Sequence, residues 1–333
     1  MKTNLLLAIM VCCFGTSFAQ QKKVVSTTTK EPTAEELYEK AFSYDYGING
    51  IQKDSIKALE YYELSAKLGF ASAQFELGVK FYLGKDYEKA VNWFSKAAEQ
   101  GHIGAQDYLG DCYYFGDGIW KDYEKAAFWY CKAAEQGNQY SQVSLGELYY
   151  MGYGVEQDYQ QAVYWYRKAA EKGNSAAQSH LGYCYEEGQG TSQDYTLAAS
   201  WYRKAAEQGH REAQHNIGCM FYKGAGVKKD VYQAIYWWRK SAEQGKMEAQ
   251  FNLGLAYEQG NGVQQNFQQA VDWYKKAADQ GFAEAKNNLG ICYYYGTGVT
   301  KDLEEAKRLW IEASRQNSQS AKINLRKHFD IVM

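Results

Sequence analysis

Small and apolar residues return along this chain at three- and four-residue steps, interrupted at regular intervals by glycine. In residues 139–174, Ser141, Leu145, Leu148, Tyr149 and Gly152 occupy positions 3, 7, 10, 11 and 14, the spacing of one helix face. Gly152 suits a left-handed C-terminal cap, and Gly154 with Val155 fits a short hairpin loop. Asp158 is a good N-cap for a second helix. Its apolar residues Tyr159, Ala162, Val163, Tyr166, Ala169 and Ala170 keep the helical step until Gly173 ends it. We call the two elements helix A and helix B. Copies of the unit begin at Ile103, Gln139, Ser175, Arg211, Met247 and Ala283, each 36 residues after the last. A fixed period of this size predicts stacked supersecondary units, and hence an all-α solenoid of antiparallel helix pairs.

The punctuation supports two helices per unit. Asp86, Asp122, Asp194, Asp230 and Asp302, with Asn266 in one copy, precede helix B, and Gly101, Gly137, Gly209, Gly245 and Gly281 follow it. Glycine at position 8, inside helix A, disfavours the helix by about 1 kcal/mol relative to alanine. Gly78, Gly110, Gly146, Gly182, Gly218, Gly254 and Gly290 nevertheless keep it, which predicts close helix approach. Residues 33–70 read as a degenerate N-terminal repeat, opened by Thr33 and Glu36 at capping-box spacing. Seven repeats span 71–318, the first shortened in its loop to Gly84-Lys85-Asp86. In residues 319–333, Ala321, Leu325 and Phe329 predict one more helix A that caps the exposed end.

The ordered residues A, Q, L-G, Y, G-x-G-V, D, A, W-Y, K-A-A-E-Q-G resemble the Sel1-like repeat, a relative of the tetratricopeptide repeat. The resemblance implies a right-handed superhelix whose A helices line the concave side, acting as a scaffold or adaptor for other proteins. Related cysteine-rich proteins pair a cysteine within each repeat, and wall-modifying or β-lactam-hydrolysing activities have been attributed to them. Here the pattern departs from theirs.

Residues 1–19 carry one lysine, an apolar run and a Ser17-Phe18-Ala19 cleavage site, the pattern of a signal peptide. Export to the periplasm or the extracellular space is expected, with no membrane span left in the mature chain and 20–32 as a flexible spacer. Across the whole chain 37 lysines and arginines face 39 aspartates and glutamates, a balance that argues against nucleic acid. Of seven cysteines, Cys112, Cys131, Cys184, Cys219 and Cys292 lie beyond the signal. Three of these share position 10, where a small buried residue fits, and no regular disulfides are expected. His180 with Cys184, and His215 with Cys219, have zinc-ligand chemistry at i, i+4 on successive A helices. Their positions differ by one residue, a rotation of about 100°, which favours packing over metal binding. No nucleophile with a base, phosphate loop or cofactor fingerprint occurs, so neither catalysis nor a cofactor is expected.

Function should then lie in what varies between copies. A helical wheel of helix A places positions 2, 5, 6, 9, 12 and 13 on an open arc. Position 12 reads Tyr82, Tyr114, Tyr150, Glu186, Tyr222, Glu258 and Tyr294, and position 13 includes Phe115, Met151 and Glu187. Position 6 gives a ladder of Asn216, Asn252, Asn288 and Asn324. Tyrosines recur at recognition surfaces and asparagine can hold a peptide backbone. Both sets can equally serve contacts between neighbouring repeats. The leading expectation is a groove for a protein or peptide, with an aromatic zone from Tyr82 to Met151 and a polar zone of Glu186, Glu187, Glu258 and the asparagines. A glycan stacked on the tyrosines is the alternative ligand.

Overall fold

The structure is a computed structural model that describes residues 31–332. The signal peptide and most of the spacer expected from the sequence lie outside the described residues. Seventeen helices and no strand occur among the described residues. Eight hairpins follow one another: α1 and α2 (Ala34–Tyr46, Ser55–Lys67), α3 and α4 (Ala71–Leu83, Tyr87–Glu99), α5 and α6 (Ile103–Phe115, Tyr123–Glu135), and α7 and α8 (Gln139–Met151, Tyr159–Glu171). They continue with α9 and α10 (Ser175–Glu187, Tyr195–Glu207), α11 and α12 (Arg211–Lys223, Val231–Glu243), α13 and α14 (Met247–Gln259, Phe267–Asp279), and α15 and α16 (Ala283–Tyr295, Leu303–Arg315). A single helix, α17 (Gln319–Phe329), closes the array. Odd-numbered helices are therefore the A helices and even-numbered ones the B helices.

Local chemistry sets these boundaries. Thr33 and Glu36 form the expected capping box at α1. The Asp158 carboxylate accepts from the Gln160 and Gln161 amides at the start of α8, and Asn266 does the same work at α14 with Gln269. Gly152 ends α7 at φ 71°, its amide donating to the Leu148 carbonyl. The shortened hairpin after α3 solves the problem differently. Gly84 keeps an ordinary negative φ, and Lys85 takes the left-handed conformation at φ 63°.

Within a pair, glycine at position 8 lets the facing helix approach. A Cβ on Gly146 would lie 2.6 Å from the Tyr166 ring of α8, and the other six copies show comparable proximity to their own ring at that place. This is the close contact the sequence required. Between pairs, buried amides do the joining. Gln106 on α5 donates to the Ala98 carbonyl of α4 at 3.1 Å and accepts from Gln136 of its own repeat at 2.8 Å. Gln74, Gln178, Gln214 and Gln250 repeat the arrangement with Gln100, Gln208, Gln244 and Gln280. Gln142 is the exception: it donates to the Ala134 carbonyl at 2.9 Å, but its own side-chain oxygen is buried without a partner. The residue that should donate to it is Lys172, which reaches the Gly137 carbonyl at 3.1 Å instead. At the far end α17 lays Leu325 and Phe329 against Trp310, capping the last pair.

Candidate functional site

The A helices place their variable residues less openly than a single-helix wheel suggests. Positions 5, 6 and 9 face the neighbouring A helix, and several are buried, including Glu76, Asp107, Asp111 and Ser179. Asp107 accepts from Ser141 of the next repeat at 2.6 Å, and Asp111 accepts from Tyr130 at 2.7 Å.

The polar zone is largely engaged within the chain. Glu186 accepts from the Tyr202 hydroxyl and Glu258 from the Tyr274 hydroxyl, each at 2.8 Å, while Glu187 is exposed. Asn216 bonds His215 at 3.2 Å, Asn252 reaches back to His215 at 3.3 Å, Asn288 donates to Tyr274 at 3.3 Å and Asn324 to Asn287 at 2.9 Å. The asparagine ladder thus makes contacts within and between repeats. Tyr222 lies against Trp238, and Tyr294 against Trp310 and His328. Tyr82 donates to Asp117 in the hairpin loop of the next repeat at 2.7 Å.

The aromatic zone behaves differently. Tyr114 of α5, Leu148, Tyr150 and Met151 of α7, Tyr153 of the following loop, Tyr166 of α8, and His180, Tyr183 and Cys184 of α9 surround a pocket of about 360 Å³, with Glu147 at its wall. It spans three successive A helices. Tyr150 donates to Gln189 of the next repeat and packs edge-on to Tyr159, ring centres 5.1 Å apart. The His180 ring stacks on Tyr166 at 4.9 Å, and its Nε2 lies 3.2 Å from Glu147 Oε1. Tyr153 stacks on Tyr123 at 5.1 Å. Met151 and Tyr183 form the open edge, 55% and 41% exposed. Phe115, 62% exposed, stands edge-on to Tyr114 outside the pocket.

Three of the aromatic-zone residues named from the sequence therefore meet here: Tyr114, Tyr150 and Met151. His180 and Cys184 join them as a ring and an apolar wall. Burial pushes the Cys184 thiol up to about 12, so it stays protonated. The second His/Cys pair is separate: His215 and Cys219 touch each other at 3.5 Å, with Asn252 beside them. No group of three or more His, Cys, Asp or Glu side chains is placed to hold a metal ion among the described residues. All five cysteines among the described residues are free thiols.

Glu147, Tyr153 and Tyr183 were not singled out from the sequence, and Tyr166 was read there only as an apolar residue of helix B. Glu147 and Tyr183 share position 9, already on the open arc, so the signal lay in the variation at that position. Tyr153 sits between two loop glycines and carried none.

The Sel1 repeat model matches residues 38–70, 71–102, 103–138, 139–174, 175–210, 211–246, 248–282 and 283–318, so the worn first unit is matched with the rest. The chain is similar to a protective antigen of uropathogenic Escherichia coli strains that displays an SLR fold, with 35% identity and a TM-score of 0.80. That match covers 90% of this chain and 65% of the other, so the chain spans just under two thirds of that relative's length. A Sel1 repeat protein from Oxalobacter formigenes shares 31% identity at a TM-score of 0.70, over 88% of this chain and 86% of its own. A comparison with curated proteins returns no match. No helix among the described residues is long and apolar enough to cross a membrane.

Proposed function

The chain belongs to the Sel1 repeat family, whose members generally act as scaffolds for protein–protein interaction, and we propose that it is an exported, non-catalytic scaffold holding a peptide segment of a partner protein along its A helices. One observation carries this reading: the tyrosine-walled pocket between α5, α7 and α9, whose rim residues Met151 and Tyr183 stay open to solvent. Elsewhere on the A face Tyr82, Tyr222, Tyr294, Glu186, Glu258 and the asparagines are engaged within their own repeat or with a neighbouring one. Export rests on the N-terminal sequence pattern alone.

Rigid aromatic side chains supply large contact area at low entropic cost, and anchors of this kind dominate recognition energetics. The binding surface is narrower than the long two-zone groove read from the sequence, because Glu186, Glu258 and the asparagines are committed to internal hydrogen bonds.

The test is recovery of partners from the envelope of the source cell by wild-type protein and by the Met151→Ser, Tyr183→Ser double variant. Partner recovery should fall at least tenfold while thermal stability is retained. Equal recovery, with loss instead on substituting exposed residues of the B helices, would place the working surface elsewhere. Saturable binding of wall glycans without peptide binding would favour a sugar ligand.

A further inference from the structure

We propose that the pocket between α5, α7 and α9 is a cation site, taking the ammonium or guanidinium head of a lysine or arginine in the bound segment; this rests on the pocket being the partner-binding surface. Two observations carry it. The first is charge. Helices α5, α7 and α9 hold five carboxylates, Asp107, Asp111, Glu147, Glu186 and Glu187, and no lysine or arginine. Among the pocket's walls Glu147 is the one carboxylate, set among the tyrosines. Rings backed by a carboxylate attract a cation through the ring face and the full negative charge together.

The second is a substitution within the repeat. In three of the four full-length loops that follow a tyrosine at position 12, the lysine seven residues on lies over or beside that ring: Lys121 is 5.9 Å from the centre of Tyr114, Lys229 is 5.9 Å from Tyr222, and Lys301 is 5.8 Å from Tyr294. Tyr82 precedes the shortened loop, and Lys89 beyond it lies over Phe81 instead. At Tyr150 the corresponding residue is Gln157, whose amide donates to the Tyr150 carbonyl at 2.9 Å. Among the described residues no lysine or arginine lies over the ring of Tyr150, Tyr153 or Tyr183. The repeat thus supplies its own cation to three of these rings, Tyr114 on the pocket's α5 side among them, and omits it at Tyr150, where a partner's side chain takes that role. Lys121 lies closer to the Tyr123 ring, at 4.6 Å, than to Tyr114.

The omission provides its own test. Gln157→Lys restores the residue that three other repeats carry, so the variant should fold normally while presenting a competing cation at Tyr150. Gln265→Lys adds the same charge at the equivalent place in a repeat whose position 12 is Glu258, remote from the pocket, and serves as control. Peptides are selected from a random display library against the full mature chain. One selected peptide is then synthesised with its lysine or arginine intact and with norleucine in its place. The expected result is a basic residue common to the selected peptides, an affinity about tenfold weaker for the norleucine peptide, and a similar loss with Gln157→Lys but not with Gln265→Lys. Glu147→Gln should narrow the gap between the two peptides. Equal binding of the norleucine peptide, still sensitive to Met151→Ser, Tyr183→Ser, overturns the cation site and leaves an apolar anchor pocket. Selected peptides indifferent to that double variant overturn the groove reading and the cation site together.

Discussion

Lys172→Gln should stabilise the protein. Gln142 is 2% exposed and its side-chain oxygen has no hydrogen-bond partner, because Lys172 stands where Gln136 and Gln244 stand in other repeats. Those two glutamines each do two jobs. Gln136 donates to the Gly101 carbonyl at 3.2 Å and to Gln106 at 2.8 Å, and Gln244 donates to the Gly209 carbonyl at 3.1 Å and to Gln214 at 2.8 Å. Glutamine at 172 would therefore keep the present contact with Gly137 and add a bond to the orphaned oxygen. A net hydrogen bond contributes about 1 kcal/mol, and more when it relieves a buried unpaired acceptor. In a repeat array that gain is local, so native-state hydrogen exchange at the α6–α7 junction is the sensitive assay. Protection there should rise about fivefold, with a small upward shift in the melting temperature. The reverse change, Gln136→Lys, should orphan Gln106 and cost a similar amount. If Lys172→Gln leaves protection unchanged or lowers it while Gln136→Lys is neutral, the buried amide ladder is not what couples the repeats.

This ladder also marks a limit of what the sequence disclosed. Helix ends and the glycine at position 8 were legible, because a cap, a left-handed residue or a close ring contact makes a local demand that one residue type meets. Gln136 belongs to the K-A-A-E-Q-G signature, and nothing in that segment points to its partner Gln106, which is buried and lies 30 residues away. The pocket was half legible for a related reason. Tyr114, Tyr150 and Met151 stood out through their residue type, whereas Glu147 and Tyr183 matter through the helix that packs beside theirs. A wheel drawn for one helix contains no neighbour. The same omission left Glu186, Glu258 and the asparagines with two readings, which their bonds to Tyr202, Tyr274, His215 and Asn287 bear on directly.

Three further outcomes follow from particular residues. Lys85→Gly should stabilise the shortened hairpin by about 1 kcal/mol in denaturant unfolding, because a side chain at φ 63° carries the left-handed penalty that glycine avoids; a loss would mean that lysine makes a compensating contact. His102 caps α5 by accepting from the Ala105 amide, and burial lowers its pKa to about 4. Its folded value lies below the unfolded one, so this stability is present above about pH 6.5 and lost as pH falls toward 4. His102→Asn, using the cap found at Asn138, should remove roughly 2 kcal/mol of that acid sensitivity in thermal melts between those limits. Glu76 titrates in the opposite sense: burial raises its carboxyl to about 7, so its contribution is present below about pH 4.5 and lost as pH rises through 7. Glu76→Gln should therefore stabilise by about 2 kcal/mol at pH 8 and leave stability at pH 4.5 nearly unchanged, and an equal effect at both pH values would refute the burial account.

The central claim is that a partner segment is held at the pocket between α5, α7 and α9. The most direct measurement places a photoreactive benzoyl-phenylalanine at Met151 on the pocket rim or at Ser200 on the exposed face of α10, in the full chain expressed in its source cell. After irradiation, cross-linked partner should appear with Met151 replaced and be absent with Ser200 replaced. Adducts forming only at Ser200, or equally at both positions, would contradict the account.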